Sequence, residues 1–231
     1  MKYYQLFSRQ LEGLLQIIYP PVCFICNKVD TDVAVCRAIC QDCLRSLKPI
    51  SKKFIQQKIL KRIDHCFLDD LWVPYQFDEI FQQIVHLIKY DQMNHLAKYV
   101  ACYARGSILG KMQLDDNILI IPVPLHPSRE KERGFNQSIF IAQGIFDKDI
   151  TENILIRMKP TKSQTTLDRE ERKQNVDEAF AVLDISFLSE KKVILVDDVV
   201  TTGATLNECA RVLKTNGVIE VIGIALASPV E

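Results

Sequence analysis

Two groups of residues in this 231-residue chain have the types and spacing to do chemistry. The first is the run from Val193 to Thr205, VILVDDVVTTGAT. A four-residue apolar stretch ends in two adjacent carboxylates, and a Thr-Thr-Gly turn then leads into a helical pattern. Ligands of open α/β sheets sit outside the carboxyl ends of the strands, which is where Asp197 and Asp198 fall. Thr201, Thr202, Gly203, Ala204 and Thr205 wrap the start of the helix, so unpaired backbone N–H groups and the positive end of the helix dipole face an anion. The threonine hydroxyls add donors, and Gly203 lets the backbone approach closely. Adjacent carboxylates repel a phosphate but accept hydroxyls or a hydrated divalent cation. The pattern therefore implies a ligand with a phosphate at one end and a vicinal diol near the acids, a ribose 5-phosphate group. The bland alternative is a surface turn after a core strand.

The second group is cysteine. Cys23-Phe-Ile-Cys26 and Cys40-Gln-Asp-Cys43 are two C-x₂-C pairs with thirteen residues between them. Each such turn brings two sulfurs to one ion, and two turns complete a tetrahedron at ~2.3 Å per Zn–S bond. Four thiolates leave no open position, so the expected zinc is structural. Cys36 offers an alternative ligand, because C36-x₃-C40 competes with C40-x₂-C43. A module of ~45 residues buries too little surface to fold alone, which gives the metal its purpose.

These groups need elements to hold them. Leu6, Leu11, Leu14, Leu15 and Ile18 fit a short amphipathic helix stopped by Pro20 and Pro21. Phe77, Ile80, Phe81, Ile84, Leu87 and Ile88 recur at helical spacing, and a further helix runs through Leu96 and Val100. Strands are expected at 117–125, 154–158, 192–198 and 218–225, with helices after Gly134 and from Ala204 to Thr215. The polar stretch 159–175 reads as a mobile loop. Strands alternating with helices argue an α/β fold with a parallel sheet.

Lys and Arg number 29, as do Asp and Glu, so the total charge names no partner. The distribution is uneven: residues 1–62 hold eleven basic against four acidic residues, which leaves the remainder equally negative. Between Asp42 and Asp64 lie Arg45, Lys48, Lys52, Lys53, Lys58, Lys61 and Arg62 with no carboxylate. With Tyr3, Tyr4, Phe24 and Phe54 available for stacking, this stretch suits single-stranded nucleic acid; the plain reading is a solvated face. No apolar run reaches the ~18 residues of a membrane span. The opening segment, interrupted by Arg9 and Glu12, does not read as a secretory signal. Eight cysteines are too few for a disulfide scaffold and point to a reducing, cytoplasmic setting.

VILVDDVVTTGAT resembles the phosphoribosyl pyrophosphate signature of type I phosphoribosyltransferases. Three further blocks, IPVPLHPSREKERGFNQS (121–138), TKSQTTLDREERKQN (161–175) and IVHLIKYDQ (84–92), are similar to the ComF/GntX family of competence-associated phosphoribosyltransferase-like proteins. The resemblance implies a type I phosphoribosyltransferase fold over 70–231, behind a zinc-binding module over 1–48 and a basic linker or helix over 49–69. It implies that Asp197 and Asp198 hold the ribose hydroxyls with Mg²⁺ nearby, and that residues 201–205 bind the 5-phosphate. Val123, Pro124, Leu125 and His126 would form the pyrophosphate loop, with Arg129, Arg133 and Lys89 as cations for the leaving group. Gln164 and Arg172 would lie on a flexible loop that closes over the site. ICQDCLRSL resembles the family's second zinc knuckle, which favours Cys40 and Cys43 as ligands.

Plainer roles stand beside these: a charged turn for Arg129–Arg133, a structural turn for His126, a helix end for Lys89. No residue reads as a general base. The function implied is binding of phosphoribosyl pyrophosphate with Mg²⁺ and handling of single-stranded DNA in natural transformation, alongside a helicase-like ATPase. The alternative is an active phosphoribosyltransferase, unrelated to DNA uptake, acting on an unassigned nucleophile.

Overall fold

The computed structural model describes residues 22–29, 38–91, 93–110, 112, 114–159 and 179–230. The chain divides into two compact units, Met1–Leu47 and Lys48–Glu231. The helix expected over residues 6–18, Tyr3, Tyr4, Cys36, and the loop residues Gln164 and Arg172 lie outside the described residues.

In the first unit Val22 and Val29 bridge antiparallel around a turn that carries Cys23 and Cys26. Asn27 takes a positive φ of 57°, and its N–H donates to the Cys23 carbonyl at 2.8 Å. Helix α1, Gln41–Arg45, starts from Cys40 and buries Cys43 and Leu44.

The second unit is built on a sheet whose central strands read as near-continuous apolar runs, as strands covered on both faces must. Strands β1 (Asp70–Trp72), β3 (Ile118–Pro122), β6 (Lys192–Val199) and β7 (Glu220–Ser228) lie in the order β1-β7-β6-β3, all parallel. The two-residue β2, Tyr75–Gln76, continues the β1 edge along β7. Strands β4 (Leu155–Arg157) and β5 (Phe180–Val182) form a separate antiparallel pair.

The pleat sends alternate residues to opposite faces. Val193 and Leu195 of β6 and Val221 of β7 join one core with Leu206, Cys209, Ala210 and Leu213 of α7, which spans Ala204–Thr215. The intervening Ile194 and Val196 are also buried. Helices α3 (Glu79–Tyr90), α4 (Asn94–Leu109), α5 (Pro127–Arg133) and α6 (Gln137–Ile145) complete the unit, with α6 packed on β3, β6 and α4. Gly144 allows that last crossing: a Cβ there would stand 2.4 Å from the Lys98 carbonyl oxygen. Among the described residues, no helix is long and apolar enough to cross a membrane.

Residues 49–69 are not set apart as a linker. Helix α2, Lys52–Lys58, packs on β1, and Ile55 and Ile59 are fully buried in the core that includes α7. Arg129–Arg133 is helix rather than a loose charged turn, because Pro127 at its start and Gly134 at its end (φ 83°) supply the usual stops. Strands β1, β2 and β5 were not legible at three, two and three residues. Among the described cysteines outside the two C-x₂-C pairs, Cys209 is buried, whereas Cys66 and Cys102 are exposed.

Candidate functional site

The strand β6 and the helix that follows build the centre of the site. Because neighbours on a strand face opposite ways, Asp198 turns toward α3 and α6, and Asp197 toward the face of α7. Val200 donates its N–H to the Ala227 carbonyl at 3.0 Å, which fixes where the strand hands over to the turn. Gly203 then takes φ 81° and starts α7. Its missing side chain is also a packing requirement, since a Cβ would meet Ile59 Cγ2 at 2.7 Å and Ile63 Cδ1 at 3.1 Å. The Thr202 hydroxyl accepts from the Ala204 N–H at 3.3 Å. Asp197 and the segment Val199–Leu206 line one concave pocket, so that acid and the turn expected to face a phosphate come together, while Asp198 is not part of its lining.

The acid pair is electrostatically unequal. Burial, and then the Asp198 charge beside it, push Asp197 up to about 7. Burial alone would also raise Asp198. The Lys89 charge and hydrogen bond, the Val199 amide and Arg133 outweigh it, and its carboxyl sits below the ordinary value. Lys89, in the last turn of α3, forms an ion pair with Asp198 Oδ2. Its partner in this structure is therefore the acid.

The other expected residues take varied places. Pro124 and Leu125 line a neighbouring cavity together with Asn136, Thr151–Asn153 and Arg157. His126 is turned into its own chain: its Nδ1 caps α5, accepting from the Ser128 N–H at 3.2 Å, with the Ser128 hydroxyl at 2.7 Å. Arg129 is half-buried on α5. Arg133 donates from Nη1 to Gln137 Oε1 at 2.7 Å.

Four residues at the site had no role in the sequence reading. Asn136, Gln137 and Ser138 open α6 and are all buried. Gln137 Nε2 lies 3.4 Å from Asp198 Oδ2, the Ser138 hydroxyl 3.4 Å from Asp197 Oδ1, and Asn136 Nδ2 donates to the Val123 carbonyl at 3.0 Å. Arg157, on β4, is buried with its guanidinium 5.2 Å from the Phe180 ring centre, and its charge reaches Asp197. The quoted stretch RGFNQS already held the first three. A buried Asn-Gln-Ser run at a helix start was the available signal, but burial is invisible in the letters.

The basic residues separate by partner. Lys48 pairs with Asp78 at 3.6 Å. Lys52 pairs with Asp70 at 2.5 Å and sits 3.6 Å over the Trp72 ring. Lys58 donates to the Pro229 carbonyl at 2.9 Å. Lys53 and Lys61 are exposed, as are Arg62 and, in the first unit, Arg45.

In the first unit the four expected sulfurs gather. Cys23 Sγ is 3.8 Å from Cys43 Sγ, Cys26 Sγ is 3.7 Å from Cys40 Sγ, and all four lie within 4.8 Å of one another. A regular tetrahedron with Zn–S bonds of ~2.3 Å has sulfurs ~3.8 Å apart, close to the two measured pairs, so the set suits zinc. Without a cation the thiolate form is disfavoured: burial and the neighbouring sulfurs push Cys43 up, a cost that a divalent cation removes. The Cys40 N–H points at Cys23 Sγ at 3.4 Å, a contact that suits a thiolate. The cluster supports a structural zinc.

Comparison with known proteins agrees with this geometry. A phosphoribosyl transferase domain matches residues 117–229, and a double zinc ribbon domain matches residues 14–55. Competence protein F of Haemophilus influenzae is 40% identical over 114 residues, covering 47% of this chain and 50% of the relative. DNA utilization protein YhgH of Salmonella typhimurium is 32% identical over 143 residues, covering 58% and 61%. Competence protein ComFC of Bacillus subtilis is 31% identical over 112 residues, covering 48% and 45%. The chain thus spans about half to three fifths of the length of the curated relatives it matches.

Proposed function

We propose, for a chain that belongs to the ComF family of phosphoribosyltransferase-like proteins, that it binds phosphoribosyl pyrophosphate with Mg²⁺ at the ends of β3 and β6. One observation carries the reading: an acid pair ends β6, and a glycine turn opening the twelve-residue α7 lines one pocket with Asp197. The N–H groups of that turn and the hydroxyls of Thr201, Thr202 and Thr205 would take the 5-phosphate. Asp197 and Asp198 would take the ribose diol, which requires Lys89 to give up its place on Asp198. The released ammonium then has a natural partner in the diphosphate, beside Arg133. Mg²⁺, held near Asp197 and Asp198, would neutralise the charge of the diphosphate.

The same reading gives the protein a part in handling single-stranded DNA; two of the relatives are named a competence protein and a DNA utilization protein. Exposed Lys53 and Lys61 on the segment that packs under Gly203 would carry the phosphate contacts. A helicase-like ATPase as partner and a cytoplasmic setting belong to this proposal. Isothermal titration with phosphoribosyl pyrophosphate and Mg²⁺ tests it. Saturable, Mg²⁺-dependent binding that Asp198→Asn abolishes is expected, and no heat at millimolar ligand would reject the pocket. Pyrophosphate release with a nucleobase or amine present would make the protein a transferase instead of a ligand-binding adaptor.

A further inference from the structure

The loop and helix start Arg133–Ser138 contact both acids and the loop after β3. Asn136 holds the loop after β3 through the Val123 carbonyl, and its Oδ1 caps α6 by accepting from the Ser138 N–H at 3.0 Å. Ser138 reaches Asp197. Gln137 stands between two charges, with Arg133 Nη1 2.7 Å from its Oε1 and Asp198 Oδ2 3.4 Å from its Nε2. A carboxamide can accept from a guanidinium at one atom and donate to a carboxylate at the other while remaining neutral. A glutamate there would neutralise Arg133 and repel Asp198. A lysine would repel Arg133 and occupy the acid. At 3% exposed, the Gln137 amide has no water to exchange these partners for.

We propose that Gln137 is a positioning residue that ties the cation for the diphosphate to the acid for the diol, so that the pocket reads both ends of the activated sugar together. The inference rests on the phosphoribosyl pyrophosphate reading of this site. Arg133 is a long, half-buried side chain with several rotamers open to it, and the hydrogen bond to Gln137 selects the one beside Asp198. A diol drawn against Asp198 pulls on the Gln137 amide, and the amide holds Arg133 where the diphosphate arrives. Gln137 therefore favours a ligand that carries both groups over one that carries the diol and 5-phosphate alone.

The test is titration of the full chain with phosphoribosyl pyrophosphate and with ribose 5-phosphate, each with Mg²⁺. Gln137→Met keeps the length and removes both polar contacts. It should weaken phosphoribosyl pyrophosphate ~10-fold or more, the loss typical of hydrogen bonds to charged groups, and leave ribose 5-phosphate within about twofold. Arg133→Met should lose preference to a similar degree, and the double variant should be no worse than Arg133→Met alone, because the two act as one unit. Equal losses for both ligands, or additive losses in the double variant, would overturn the proposal. So would an unchanged preference. If Gln137→Met does not fold, Gln137→Glu serves, with the same fall in preference expected. Failure of the wild-type chain to bind phosphoribosyl pyrophosphate is a separate result, which removes the pocket reading itself.

Discussion

Asp197→Asn should stabilise the ligand-free protein and do so more as the pH rises. The native carboxyl is held up at about 7 by burial and by Asp198, against 3.8 for the free group. The folded chain therefore keeps a proton on Asp197 between about pH 4 and pH 7 that the unfolded chain has lost. Stability falls across that window as the pH rises, and the whole cost is present above about 7. Three units at ~1.4 kcal/mol each set a ceiling of about 4 kcal/mol. Asp197 is only partly enclosed, and its charge is shared with Asp198, so about 1–2 kcal/mol is the expected gain at pH 8. Asparagine keeps Oδ1, which accepts from the Asp198 N–H at 2.8 Å and from Ser138, so no contact is lost to offset it. Urea unfolding of both proteins at pH 5, 6, 7 and 8, without ligand, reads the effect. The two should be close at pH 5 and diverge toward pH 8, and binding of phosphoribosyl pyrophosphate should vanish in the variant. Asp198 sits below its free value, so its own contribution changes only under more acidic conditions and does not enter this window. A variant that is less stable than wild type at pH 8, or equally displaced at every pH, would refute the electrostatic account of the pair.

Cys43→Ser should lower the zinc content by one equivalent, measured by metal release to a chromogenic chelator, and should expose the first unit to protease while 48–231 resists. Gly203→Ala places a side chain at φ 81° and 2.7 Å from Ile59, so a loss of about 2 kcal/mol or more in thermal unfolding is expected. Titration of that variant with phosphoribosyl pyrophosphate should also show weakened binding. Replacing Lys53 and Lys61 by Ala should lower the salt slope of oligonucleotide binding by about one to two without moving the melting temperature. Lys52→Ala, by contrast, removes an ion pair and a ring contact and should show chiefly as a stability loss of about 1 kcal/mol.

What the sequence disclosed was local in kind. The β6 run, the turn at Gly203 and the helix after it are contiguous, so their chemistry and geometry could be read from one stretch of letters. The two C-x₂-C pairs were legible for the same reason, since short-range spacing alone brings each pair of sulfurs together. The partners of the acids were not, because they come from α3, the start of α6 and β4, far apart in the chain. Lys89 carries no mark that separates an Asp198 counter-ion from a pyrophosphate ligand; the ion pair decides it for this state. His126 was ambiguous between ligand and cap, and its Nδ1 on the Ser128 amide shows the capping use. The basic stretch was read as a linker or a helix; Ile55 and Ile59, placed between the lysines, bury that helix in the core and bring Ile59 and Ile63 under Gly203. That packing has a consequence for any link between sugar and DNA. A ligand that tightens the turn at Gly203 presses on Ile59 and Ile63, whose helix and following turn carry Lys53 and Lys61. If the protein does handle DNA, occupancy of the pocket and the set of exposed lysines are coupled through two isoleucines, and oligonucleotide affinity should change when phosphoribosyl pyrophosphate is present. Ile59→Ala, which opens a gap beneath the turn, should uncouple them. An identical oligonucleotide affinity with and without saturating ligand in the wild-type chain would show that the two surfaces merely share a core.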